Sequence, residues 1–294
     1  EVSANGEAAN RPETGQKNDP AQRSSSTHEP AELNSDPGQA ASAASEDPRT
    51  RATVFEWLEQ MGSEAAVERR AASEAIDELD QAGLAFVVAG LREGTPAQKR
   101  GAAVYLIGRV SPRNHEAAAA LTEALDADDE ELRHAALQAV EKLSDPQLVS
   151  ALPSLLSLAE SSNESAAYRS RAIRAITKLG PAAESATNRL IEMARNEQTP
   201  LKVRQACFFG LVKIPPNDIA EKFFRRELEK NAVPELRRLA AQWLADVASS
   251  DEALNGLMAG LNDPVKAVRL EAVDGLVEIG KPSVSPLIEA LESS

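Results

Sequence analysis

Residues 261–280 read LNDPVKAVRLEAVDGLVEIG. In this stretch Arg269 is followed three residues later by Ala272, seven later by Leu276 and ten later by Ile279. At about 100° per residue those offsets share a narrow arc, the buried stripe of an amphipathic helix. The same spacing starts at Arg69, Arg100, Arg133, Arg169, Arg204, Arg237 and Arg269, with Ala, or Cys207 once, at the third position and aliphatic residues at the seventh and tenth. The arginines stand 31, 33, 36, 35, 33 and 32 residues apart. A period of that size belongs to helical solenoids, whose units bury their apolar faces only by stacking on neighbours.

Each unit beyond residue 50 reads as two helices, A then B, with the arginine pattern on B. Thr95-Pro96, Thr199-Pro200 and Asp263-Pro264 supply an N-cap oxygen followed by a proline at the first helical position, where a missing N–H costs nothing. Ser63, Asp128 and Asn163 are the expected caps in three other units. Gly180, Gly280 and the Pro215-Pro216 pair are the expected stops. Eight A helices accompany seven B helices, so the last A helix, from Ser283 to Leu291, has no following partner in this sequence.

Residues 1–50 differ in kind. Val2 and Leu33 are their only large apolar residues, set among Ala, Ser, Glu and five prolines. Such a segment cannot bury enough apolar area to offset its ordering entropy and is expected to be a disordered leader or linker. The chain begins at Glu1, which fits a tether outside the cytoplasm after leader removal, with an intracellular tail as the alternative.

Of the formal net charge of -14, residues 1–50 carry -5 and residues 51–294 carry -9. That balance disfavours binding that rests on phosphate-backbone attraction, so nucleic acid is a poor default partner. Cys207, the single cysteine, takes a place filled by Ala in the other six units and reads as a small core residue. The histidines His28, His115 and His134 read as solvated groups, and the sequence holds no phosphate loop, Gly-x-Ser-x-Gly, His-Glu-x-x-His or Cys-x-x-Cys motif. We therefore expect no catalytic residue, metal or cofactor.

Segments such as 261–280 resemble HEAT repeats of the short bacterial kind, also called phycobilisome-lyase HEAT-like repeats. The resemblance covers about residues 51–294. It implies an all-α fold, a right-handed α-solenoid of about seven helical hairpins plus a terminal helix. In that family an Asp six residues before the Arg forms a ladder of buried contacts between repeats, which Asp263 and Arg269 match. B helices line the concave surface in such folds.

On the B helix, offsets +5 and +9 from the repeat arginine lie opposite the buried stripe. At +9 stand Glu78, Arg109, Lys142, Lys178, Lys213, Asp246 and Glu278, and at +5 Glu74, Tyr105, Gln138, Arg174, Phe209, Gln242 and Asp274. Pairs one turn apart share a face. Tyr105, Arg109, Lys142, Arg174, Lys178, Phe209 and Lys213 are thus the candidate partner-binding strip, basic and partly aromatic. The expected function is a noncatalytic scaffold that holds a protein or peptide segment, acidic in character, on the concave face. The alternative is a HEAT-like enzyme subunit, phycobilin-lyase-like or, less in keeping with the charge, of the DNA-glycosylase base-excision type.

Overall fold

The computed structural model describes residues 48–110, 114–143, 146–214, 218–246 and 250–292. The expected leader, 1–50, lies outside the described residues except for 48–50, which already belong to the first helix. Among the described residues there is no strand. One layer holds the A helices, α1 (Pro48–Met61), α3 (Asp80–Glu93), α5 (His115–Ala124), α7 (Leu152–Glu160), α9 (Thr187–Arg195), α11 (Asp218–Lys230), α13 (Asp251–Gly260) and α15 (Lys281–Glu292). Facing it are the B helices, α2 (Ala66–Asp77), α4 (Pro96–Leu106), α6 (Glu130–Val140), α8 (Ala166–Lys178), α10 (Leu201–Lys213), α12 (Pro234–Asp246) and α14 (Lys266–Ile279). Short 3₁₀ turns, Pro146–Ala151 and Gly180–Ala186, lead into α7 and α9. No helix among the described residues is long and apolar enough to cross a membrane.

The arginine-based spacing predicts the core. All seven residues at the third position are buried, from Ala72 to Ala272, Cys207 among them. At the seventh position Ile76, Val140, Ile176, Leu211, Leu244 and Leu276 are buried, while Ile107 is only half-buried because α4 ends one residue before it. Small residues at the third position let B helices lie close: α4 packs on α6, α8 on α10, and α12 on α14. Burial pushes the Cys207 thiol up to about 12, so it stays a neutral core group.

The first hairpin departs from the repeat. α1 lies along α4 as well as along its own partner α2, and Gly101 makes that crossing possible. A Cβ there would stand 1.7 Å from the carbonyl oxygen of Leu58. At the other end, Val284, Ile288 and Leu291 of α15 and Val273 and Val277 of α14 stay exposed, with no further helix over them among the described residues.

Several helix starts differ from expectation. Thr95 caps α4 in a full capping box with Gln98. The caps of α6 and α8 are Asp129 and Ser165, one and two residues after the expected Asp128 and Asn163. Ser63 accepts from the backbone N–H of Ala65, ahead of the helix. Thr199 and Asp263 also precede their helices, α10 and α14, by more than a cap position, and Asp263 Oδ1 accepts from Val265 N at 2.8 Å instead. Gly180 and Gly280 do end α8 and α14, at φ of 55° and 71°. Pro215 and Pro216 lie outside the described residues.

The repeat arginines turn the A–B loops into a connected frame. Arg69, Arg133, Arg237 and Arg269 each aim Nη1 at the carbonyls six and five residues back. In Arg133 and Arg237 the other edge of the guanidinium reaches the next repeat. Arg133 donates to Glu164 at 2.9 and 2.6 Å, Arg237 to Asp263 at 2.6 and 3.0 Å, and Arg100 to Asp129 at 2.8 Å. Asp263 thus pairs with the arginine of the preceding unit. Arg269, six residues after it, takes only its backbone carbonyl, so the acid contact runs between repeats as the family pattern implies. The hydrogen bonds from Arg237, against the opposing effect of burial and with help from Val265 N–H, hold the Asp263 carboxyl below its usual range.

Ala172→Leu is expected to lower stability by roughly 1 to 3 kcal/mol through overpacking between α8 and α10, with Cys207→Ala nearly silent, both read as urea midpoints. Asp263→Asn is expected to cost roughly 3 kcal/mol at neutral pH, because it leaves Arg237 buried without its acid. A carboxyl whose folded pKa is depressed gives stability above its unfolded value near 3.9 and loses it as pH falls through the folded value. The gap between wild type and Asp263→Asn should therefore close below about pH 4.

Candidate functional site

The B-helix face carries a groove of about 610 Å³ centred on α10 and walled by α8 and α12. Arg174 and Lys178 reach it from α8, Lys202, Phe209 and Lys213 from α10, and Gln242 and Asp246 from α12. Successive lining residues of α10, Lys202, Ala206, Phe209 and Lys213, stand three or four apart and so occupy one face. Gly210 lets α8 come close, since a Cβ there would meet Thr177 Oγ1 at 3.1 Å and Ile173 Cγ2 at 3.3 Å.

The floor is aromatic. Phe208 lines the groove and meets Phe223 and Phe224 edge-on at 5.3 and 5.4 Å between ring centres, and Phe224 stacks on Trp243 at 4.4 Å. Phe223 and Phe224 belong to α11 and Trp243 to α12. All three are buried, because α11 packs both phenylalanines between α10 and α12. Above this floor Phe209 is 56% exposed. Four bases, Arg174, Lys178, Lys202 and Lys213, face one acid, Asp246.

Four of the seven expected strip residues therefore meet in one place: Arg174, Lys178, Phe209 and Lys213. The other three do not. Arg109 and Lys142 were placed by assuming a helix through offset +9, but α4 stops at Leu106 and α6 at Val140, so both residues sit in turns. Only in α8, α10, α12 and α14 does the B helix run that far. Arg109 turns back on α2, donating to Ser73 Oγ at 2.6 Å and to both Asp77 oxygens at 3.3 Å. Lys142 is exposed outside the groove lining.

Tyr105 corrects the reading of an exposed aromatic. It is 5% exposed, its hydroxyl donates to Asp77 at 2.6 Å, and Arg109 lies 4.6 Å from its ring centre. Burial, then the bond to Asp77, raises its pKa. The end of α2 covers this part of α4. Lys202, which the sequence reading passed over, was legible as the residue seven before Phe209 on the same face. Glu141 fixes the near wall, since Lys178 Nζ donates to its carbonyl and its carboxylate accepts from Arg171 at 2.6 Å and lies 3.7 Å from Arg174.

His134 is not a solvated histidine. It stacks on Tyr168, and its Nε2 lies 3.2 Å from Glu164, which with Glu130 makes a cluster of possible metal ligands. The same Glu164 carboxylate already accepts twice from Arg133. Burial raises the Glu164 carboxyl, but the bonds from Arg133 and His134 outweigh it and keep the group ionised. A guanidinium at 2.6 Å opposes a cation there, so the cluster belongs to the arginine frame.

The sequence profile of HEAT repeats matches residues 84–165 and 221–294, more than half of the chain. The chain belongs to the HEAT-repeat family. No curated protein matches it. Among solved structures it is similar to an archaeal HEAT-like repeat protein from Thermococcus onnurineus NA1, at 17% identity and a TM-score of 0.55, over 81% of this chain and 100% of that one. An engineered protein is similar at 17% identity and a TM-score of 0.51, over 86% of this chain and 71% of that one. The complex of CpcE and CpcF of phycocyanin lyase from Nostoc sp. PCC7120 follows at 19% identity and a TM-score of 0.38, over 81% and 92%. These likenesses concern the fold alone.

Proposed function

We propose that this HEAT-repeat chain is a noncatalytic scaffold whose B-helix groove between α8 and α12 holds an extended, acidic segment of a partner protein. The observation that carries this reading is the composition of the groove. A chain of net charge -14 concentrates four bases against one acid around an exposed phenylalanine over an aromatic floor. Exposed aromatics beside bases are the usual anchors of a protein interface, and charge complementarity adds steering and selectivity.

Duplex nucleic acid fits less well. Its long, uniform charge would run past the groove onto Asp274 and Glu278 of the next B helix, which repel it, whereas a short acidic segment ends within the groove.

Phe209→Ala removes the anchor and the Lys178→Glu/Lys213→Glu pair reverses the steering. With a partner captured by the repeat region, each is expected to weaken binding about tenfold or more, while the far-UV spectrum and melting temperature stay unchanged. Binding by wild type should fall with added salt. Lys222→Glu, on the A-helix side, should leave affinity as it was. Full affinity in both groove variants, or tight binding of duplex DNA at physiological salt, would overturn this function.

A further inference from the structure

A second cavity, of about 450 Å³, opens at the A–B loop edge between the repeats of α10 and α12. It shares no lining residue with the groove. At its base is Arg204, a repeat arginine that is only 8% exposed. Its counterparts Arg100, Arg133 and Arg237 each meet a carboxylate from the next repeat. Arg204 does not. Among the described residues its guanidinium has one hydrogen-bond partner, the carbonyl of Ala194, which Nε reaches at 2.8 Å.

The reason lies in one residue. Asn231 stands six before Arg237, as Asp263 stands six before Arg269, and it caps its loop in the same way. Asn231 Oδ1 accepts from Val233 N at 2.9 Å, matching the bond from Val265 N to Asp263 Oδ1 at 2.8 Å. In Asp263 the carboxylate also accepts twice from Arg237. In Asn231 the remaining atom is an amide nitrogen, which can only donate, and it does so to Glu227 Oε2 at 2.5 Å. Glu227 is thereby engaged, and it also lies 3.7 Å from Arg195. The ladder is interrupted here, as it is at Arg169, and here a cavity opens.

Around that cavity the bases Arg195, Arg204, Arg226 and Lys230 outnumber the acids Glu197 and Glu227. The Nη groups of Arg204 reach solvent at the cavity and meet no acid, and a planar carboxylate offers two acceptors at the spacing their fork presents. We propose that this cavity is a carboxylate-binding site, in which a ligand carboxylate completes the ladder contact that Asn231 cannot make to Arg204. The shared chemistry is the carboxylate, carried by an acidic side chain of a protein segment or by a small dicarboxylate.

The test uses the full chain in isothermal titration at constant ionic strength set with chloride. The probes are succinate, an end-blocked peptide containing Asp and Glu, the same peptide with Asn and Gln, and inorganic phosphate. Wild type should bind succinate or the acidic peptide, and whichever loses affinity in Arg204→Gln identifies the source. Asn231→Asp supplies the missing acid from within the chain. It should weaken binding at least tenfold. Arg204→Gln should weaken succinate binding to the same extent, and Lys178→Glu in the groove should leave succinate binding unchanged. Equal affinity in wild type and Asn231→Asp, or no binding above the chloride background, would overturn the site. Phosphate bound as tightly as the carboxylates would overturn the assignment of ligand class. Because the Asn231→Asp comparison uses no groove residue, failure here leaves the scaffold reading standing, and failure of the groove variants leaves this one.

Discussion

One arginine per unit anchors this solenoid's backbone or links its repeats, and Arg100, Arg133 and Arg237 tie one unit to the next. The end of an A helix and the loop that follows leave backbone carbonyls without intrahelical donors, and a buried carbonyl must find one. The repeat arginine answers that need from the B helix. In Arg133 and Arg237 one guanidinium edge serves the loop carbonyls and the other serves the acid of the next repeat. The planar fork makes both contacts at once, which a lysine ammonium could not do in the same geometry. Local loop structure and repeat-to-repeat stacking are coupled by that one side chain.

The acids that complete the frame vary more than the arginines. Asp129 also caps α6, Glu164 is longer and draws in His134, and Asp263 sets the entry into α14. Where none is supplied, the arginine retreats: Arg169 and Arg204 both aim Nε at the carbonyl ten residues back, on Ala159 and Ala194. These two arginines belong to α8 and α10, the helices that also form the groove. The middle of the molecule therefore has fewer charged links between repeats and more aromatic packing. Phe208, Phe223, Phe224 and Trp243 supply contact area where the ladder does not.

That substitution bears on function. A groove floored by buried rings is held by packing rather than by long charged side chains, so Phe209 and its neighbouring bases are presented from a firm platform. The Glu141 contacts to Arg171, Arg174 and Lys178 steady one wall. Binding surfaces of repeat proteins arise in this way from residues that the repeat itself does not fix.

The arginine spacing by itself determined the helical hairpins, their number and the buried stripe, because a 3.6-residue period with small residues at fixed offsets has one economical packing. It also placed Arg174, Lys178, Phe209 and Lys213 on one face, since the helices that carry them run the full length the offset assumes. Only the tertiary structure decided where each B helix stops, and that removed Arg109 and Lys142 from the strip. It buried Tyr105 through the contact of α4 with the end of α2, a crossing between units that no local pattern encodes. It identified Arg237 as the partner of Asp263, because ladder contacts join residues a whole repeat apart and depend on how repeats stack. The sequence places Asn231 at the offset that Asp263 holds in the next unit, and only the stacked repeats reveal Arg204 as the arginine that it leaves without an acid.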